Sequence, residues 1–202
     1  SHIDIPGFLK ANAEADWRES TRIFKRTIPF PSVLGRVCPA PCEEHCRRDE
    51  VDEAIAIRDS HRYAGDQVIK AMLDEGVDPP LPFEKQAPSG RRAAVIGSGP
   101  AAMSAAYYLL LAGHDVTIFH RGSSEPAGFP DVEHVHGDRH DDLGVLRGST
   151  WDAALDTCAY VPRSVRIAAD VLDAGVAHYT FVSTLSVHPD DLPTDSGEDA
   201  PT

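Results

Sequence analysis

One stretch constrains the chain more than any other. Ala93-Ala-Val-Ile-Gly97-Ser-Gly99-Pro100-Ala101-Ala102 is a short apolar run, a glycine turn and the opening of an alanine-rich helical stretch. It fits G-x-G-x-x-A in the strand–turn–helix context that gives this motif its meaning. Gly97 permits a tight turn and Gly99 lets the backbone approach a pyrophosphate. Ala102 keeps helix and strand close, while the helix N-terminus offers N–H groups and partial positive charge. Gly97, Gly99, Pro100, Ala101 and Ala102 are therefore expected at a dinucleotide, either FAD or NAD(P).

The surrounding rhythm supports a parallel sheet. Strands are expected at 93–96, 115–119, 132–136, 152–158 and 179–183, with helices at 100–112 and 163–174. Alternation of this kind implies βαβ units. At the end of the second strand an acid would bind ribose hydroxyls. Here His120 and Arg121 stand there instead. That removes an acceptor and supplies a cation for a 2′-phosphate, which favours NADP over NAD.

The first part of the chain reads differently. Helices are expected around Pro6, from about Asp16 to Arg26 with a stop before Pro29 and Pro31, and from about Asp59 to Asp74. Between the last two lies Cys38-Pro-Ala-Pro-Cys42-Glu-Glu-His-Cys46, a C-x3-C-x3-C pattern holding three of the chain's four cysteines. In a reducing compartment such spacing favours metal or cluster ligation over disulfides, and soft thiolates suit iron–sulfur or zinc. Cys42 and Cys46, at i and i+4, are expected on one helical face. A fourth ligand is needed, and His45, His61 or a residue upstream of Ser1 are candidates. Cys158 falls in an expected core strand and reads as a buried apolar residue.

The fold class that follows is α/β: a small all-helical, cysteine-containing domain (1–76), then an incomplete Rossmann-like parallel-sheet domain (92–188). A Pro-rich linker, extended rather than packed, is expected at 77–91, and a polar tail at 189–202. The chain carries 19 Lys+Arg against 32 Asp+Glu, a formal charge of −13. That balance argues against nucleic-acid and membrane-surface partners. No apolar run approaches the ~20 residues of a spanning helix. The N-terminus lacks the basic-then-apolar pattern of a signal peptide, so a cytoplasmic protein is expected.

Several ordered motifs resemble a known family. Ile3-Asp-Ile-Pro-Gly-Phe-Leu9, Pro31-Ser-Val-Leu-Gly-Arg-Val-Cys-Pro-Ala-Pro-Cys-Glu-Glu-His-Cys46, Ala54-Ile-Ala-Ile57 and Val95-Ile-Gly-Ser-Gly-Pro-Ala-Ala102 resemble the small subunit of NADPH-dependent glutamate synthase. They are also similar to the N-terminal part of dihydropyrimidine dehydrogenase. The resemblance covers about residues 1–119. It implies a helical domain binding [4Fe-4S] clusters, with Cys38, Cys42 and Cys46 as ligands, then an FAD-binding Rossmann domain, and a larger redox subunit as partner. Leu34 stands where many small subunits have a further Cys, and His120 where a ribose-binding Glu is usual.

Beyond Phe119 the likeness changes. Phe119-His-Arg-Gly122, His136-Gly-Asp-Arg139, Trp151-Asp-Ala-Ala-Leu-Asp-Thr-Cys158 and Tyr179-Thr-Phe-Val-Ser-Thr-Leu-Ser-Val187 resemble an extended short-chain dehydrogenase of the NAD-dependent epimerase/reductase type. This likeness implies Asp138 near the adenine, Arg121 near a 2′-phosphate and Thr184 at the Ser/Thr position. The Tyr and Lys that family uses for proton transfer have no counterparts, since no Tyr follows 179 and no Lys follows 85. No catalytic residue can therefore be named. The expected function is a redox module passing electrons between NADPH, flavin and a cluster. The alternatives are a short-chain-dehydrogenase-like protein or a non-catalytic dinucleotide-binding module.

Overall fold

The computed structural model describes residues 2–123 and 132–183. The chain divides into two compact units, Ser1–Lys85 and Gln86–Thr202.

The first unit is helical. Helix α1 (Ile5–Ala13) starts where Asp4 accepts the Gly7 N–H at 2.9 Å, with Pro6 in the first turn. Helix α2 (Trp17–Phe24) is capped the same way, Asp16 accepting from Glu19 N–H at 2.9 Å. Two four-residue helices follow, α3 (Pro31–Leu34) and α4 (Pro41–Glu44), then a 3₁₀ turn at Arg47–Glu50. Pro31, read from sequence as a stop, is instead the first residue of α3, because a missing N–H costs nothing at that position. Helix α5 (Ile57–Glu75) ends at Gly76, whose φ of +67° closes the last turn. Phe8, Phe24 and Ile57 form the core, the two Phe rings meeting edge-on at 5.4 Å. Burying each ring stabilises the unit by about 1.5–3 kcal/mol.

The stretch read as an extended linker is bonded at both ends. Lys25 donates to the Pro80 carbonyl and Arg18 to the Asp78 carbonyl, both at 2.9 Å. Pro80 and Pro82 are buried. In the second unit Gln86 and Ser89 N–H groups donate to Leu111 and Gly113 carbonyls at 2.8 Å. A proline-rich strip cannot pair with itself, so it is held by its carbonyls at one end and by the N–H groups of its non-proline residues at the other.

The second unit is a five-stranded sheet of strands β1 (Arg92–Ile96), β2 (Asp115–His120), β3 (Glu133–His136), β4 (Trp151–Asp156) and β5 (Val176–Phe181). All pairs are parallel and the order is β3-β2-β1-β4-β5. Helix α6 (Pro100–Leu111) joins β1 to β2, and α7 (Pro162–Leu172) joins β4 to β5. Strand periodicity sends alternate residues to opposite faces. Val95, Val116 and Ile118 pack with Ala102 and Ala106 of α6. Ala94, Ile96, Phe119 and Ala154 pack with Ala168 and Leu172 of α7. The expected Rossmann-like α/β architecture is therefore present. Its consequence for function is positional: the order reverses direction at β1, so a crevice opens beyond the carboxyl ends of β1 and β4. The expected polar tail lies outside the described residues. Among the described residues no helix is long and apolar enough to cross a membrane.

Candidate dinucleotide site and cysteine segment

The turn after β1 is fixed by its glycines. Gly97 has φ +117°, and a Cβ there would lie 2.7 Å from Thr157 Oγ1 and 3.3 Å from Cys158 Sγ. Only glycine relieves both the backbone and the contact. Gly97 N–H donates to the Phe119 carbonyl at 2.9 Å, which ties the turn to β2. Gly99 differs: a Cβ there meets nothing within 4 Å, so this backbone faces open space. Pro100 begins α6 and no side chain caps it. Pro100 has no N–H and the first helical bond is Met103 N–H to the Gly99 carbonyl at 2.9 Å, so the Ala101 and Ala102 N–H groups have no acceptor within the helix.

A cavity of about 510 Å³ sits on this turn. That lies within the range typical of small-molecule sites. Gly97, Gly99, Pro100, Ala101, His120, Arg121 and Asp138, all singled out from sequence, line it. Ala102 does not. It is fully buried beneath, packed with Val95 and Val116, where its small side chain sets the distance between helix and strand.

The polar groups divide by role. His120 is buried, and its Nδ1 accepts the Gly122 N–H at 3.1 Å. A backbone N–H only donates, so the neutral ring carries its proton on Nε2, which donates to His134 Nδ1 at 2.8 Å. The His136 ring lies 4.8 Å from that of His120. His120 thus lines the cavity while both nitrogens are engaged with the protein, so it builds the wall rather than substituting for a ribose-binding acid. Arg121 is exposed at the β2 end of the cavity. Asp138 Oδ1 accepts the His140 N–H at 2.9 Å, and its own N–H donates to Asp142 at 2.8 Å.

The floor is a buried ion pair that sequence reasoning missed. Arg139 donates to both oxygens of Asp156, at 2.8 and 2.9 Å, with side chains 11% and 0% exposed. It also donates to the Ser164 carbonyl at 3.0 Å and to Cys158 Sγ at 3.1 Å. Tyr179 OH donates to Asp156 at 3.0 Å. Burial opposes the Arg139 charge, but the hydrogen bonds and charge of Asp156 outweigh it and hold the guanidinium above its ordinary pKa. Burial, with the Asp156 charge, pushes the Tyr179 phenol up. Cys158, expected in the core, lies after β4 in the cavity wall. Burial raises its thiol, with Arg139 opposing only in part. Thr157, Cys158 and Tyr160 line the β4 side. The inward position of Asp156 was the available signal, because a carboxylate on a core-facing strand position requires a partner. Thr184 lies outside the described residues.

Cys38, Cys42 and Cys46 are half-buried free thiols. Cys38 Sγ accepts the Ala40 N–H at 3.4 Å. Ala40, buried between two prolines, turns the chain with φ +57°. Cys42 packs against the Phe8–Phe24–Ile57 core, and burial raises its thiol. The expected shared helical face does not form, because α4 ends at Glu44 and Cys46 lies beyond it. Four residues opened by proline cannot extend a turn past their own cap. His45 is exposed. His61 is buried, stacked on Phe24 at 4.1 Å, with Nδ1 3.1 Å from the Pro31 carbonyl. Among the described residues no three His, Cys, Asp or Glu side chains are grouped to hold one metal ion. In chemistry the donors fit an iron–sulfur group and supply three of the usual four thiolates. In position they are not gathered.

Residues 1–73 match the family described as dihydropyrimidine dehydrogenase domain II, 4Fe-4S cluster. Over 163 residues, 78% of the chain, it is 34% identical to the NADPH-Fe(3+) oxidoreductase subunit beta of Geobacter sulfurreducens, covering 23% of that protein. It is 38% identical over 134 residues to the NADP(+)-dependent formate dehydrogenase subunit beta of Moorella thermoacetica, covering 59% of the chain and 19% of that protein. It is 37% identical over 105 residues to the glutamate synthase [NADPH] small chain of Bacillus subtilis, covering 52% and 20%. The chain therefore spans 19–23% of the length of these relatives. Its helical unit matches a 4Fe-4S cluster domain, and the chain is similar to glutamate synthase small chains and related oxidoreductase subunits.

Proposed function

We propose that the chain is an oxidoreductase module of the glutamate-synthase-small-subunit type, working with a larger redox subunit. Its second unit binds a dinucleotide across the Gly97–Ala102 turn, NADP(H) in preference to FAD. Its helical unit carries a [4Fe-4S] cluster on Cys38, Cys42 and Cys46, which supplies one-electron transfer when bound. The observation that carries the dinucleotide reading is the cavity on the turn, with Arg121 at its β2 end, next to His120, which stands where a ribose-binding carboxylate is usual. There the arginine pairs with a 2′-phosphate, the N–H groups of α6 face the pyrophosphate, and Asp138 faces the adenine.

Titration with NADPH, NADH and FAD, followed by fluorescence, tests this. NADPH is expected to bind at least tenfold more tightly than NADH. FAD binding tighter than NADPH, or no binding of any, overturns it. Iron and sulfide assay after anaerobic reconstitution tests the cluster. A colourless, iron-free chain removes that half.

A second reading, dinucleotide binding without turnover by this chain alone, is favoured by the site's thiol and the phenol beneath it. Cys158 lines the cavity and Tyr179 packs below it on Asp156; burial raises both, so neither offers a base near neutral pH. Binding of NADPH without dye reduction by the flavin-supplemented chain supports it, and NADPH-driven dye reduction excludes it.

A further inference from the structure

The cavity has one wall whose exposure is out of keeping with its chemistry. Tyr160 lines it on the β4 side and is nonetheless 90% exposed, with Val161 beside it 50% exposed. Both residues lie between the end of β4 and Pro162, the first residue of α7. The sheet order places the ends of β2 and β3 on one side of β1 and the end of β4 on the other. A dinucleotide whose pyrophosphate sits on the β1 turn must therefore extend over both sides. Arg121 and Asp138 occupy the β2–β3 side. The β4 side, with Thr157, Cys158 and Tyr160, offers no ionised group of its own.

We propose, resting on the dinucleotide reading above, that Tyr160 is the stacking platform for the second, redox-active ring of the ligand. A tyrosine loses little conformational freedom on becoming ordered and presents a large planar face. Stacking a heteroaromatic ring on it removes apolar surface of both from water. The β2–β3 side then holds the phosphorylated adenosine half by charge, and the β4 side holds the ring by contact. Tyr160 is a binding and specificity residue, separating complete dinucleotides from adenine nucleotides that lack the second ring.

The test compares NADPH with 2′-phospho-ADP-ribose, which has the same phosphates and adenine but no nicotinamide. The full chain is titrated with each, alongside Tyr160→Ala and Tyr160→Phe, and circular dichroism checks the fold. The parent chain is expected to bind NADPH about tenfold more tightly than 2′-phospho-ADP-ribose. Tyr160→Ala is expected to erase that difference by weakening NADPH alone, and Tyr160→Phe to retain it. Unchanged NADPH affinity in Tyr160→Ala, or equal weakening of both ligands, overturns the platform and leaves the dinucleotide reading standing. Failure of both ligands to bind the parent chain removes the reading and the platform together.

Discussion

The two units hold their chemistry in opposite ways. In the sheet unit the site is finished by folding alone: the Gly97 turn, the β2 end and the Arg139–Asp156 floor are each fixed by backbone bonds and buried contacts. In the helical unit the core is finished, but the thiols are not brought together. The difference teaches where the energy of each site comes from. A dinucleotide crevice is a by-product of sheet order and exists before its ligand. A cluster site gathers like-charged thiolates, which repel until a metal neutralises them, so its assembly is tied to metal binding.

The strongest way to break the comparison is to remove the core of each unit in turn. Phe24→Ala leaves a cavity beside Phe8 and His61 and is expected to cost the helical unit about 3–5 kcal/mol. Arg139→Met leaves the buried Asp156 carboxyl without its cation and is expected to cost the sheet unit a similar ~3–5 kcal/mol. Urea unfolding with hydrogen-exchange readout in each unit checks both. If the sites are independent, Phe24→Ala leaves NADPH affinity intact and Arg139→Met leaves iron uptake intact. Cross-effects of either variant on the other site show that the units do not act separately.

What the sequence disclosed follows the same line. Strand and helix periods repeat locally, so β1, α6, β2, β4 and α7 were legible to within a residue or two. The 97–102 motif was legible because each glycine answers a backbone demand. Arg139, Asp156 and Tyr179 were not, because their meaning lies in partners 17 and 23 residues away. Helices α3 and α4 were invisible for a different reason. Four residues opened by a proline carry no 3.6-residue stripe, so only packing against α5 and the Phe core shows them. His120 was read from its position at a strand end, and its binding to His134 and Gly122 became visible only once β2 and β3 were paired.

A smaller effect sharpens the claim that the sheet site is preformed. Gly97→Ala forces a Cβ against Thr157 at φ +117° and is expected to cost about 1–3 kcal/mol of stability and at least tenfold in NADPH affinity. Gly99→Ala meets no protein atom, so stability is expected to stay within about 0.5 kcal/mol. Its affinity for NADPH is expected to fall nonetheless, because on the proposed reading the methyl enters the space of the pyrophosphate. Thermal denaturation and ligand titration of the pair separate the two roles. Equal stability losses would mean that Gly99 serves the fold and not a ligand.

A more gradual effect, spread over a pH range, probes the finished core of the helical unit. Burial lowers the Lys25 pKa from 10.5 to about 8, while its Nζ donates to the Pro80 carbonyl. Between pH 8 and 10.5 the folded chain has released this proton and the unfolded chain still holds it. Unfolding therefore takes up a proton, and stability gained from this group rises with pH through that window, by about 1 kcal/mol per pH unit. Below pH 8 both states are charged and the penalty for burying the cation is present in full. Lys25→Met removes the titration, so its stability is expected to exceed the parent's least at high pH and most below pH 8. Urea midpoints for both chains from pH 7 to 10.5 check the sign. Parallel curves across that range would show that Lys25 keeps its proton when folded, and that the Asp78–Pro80 stretch is anchored by a cation rather than by an amine.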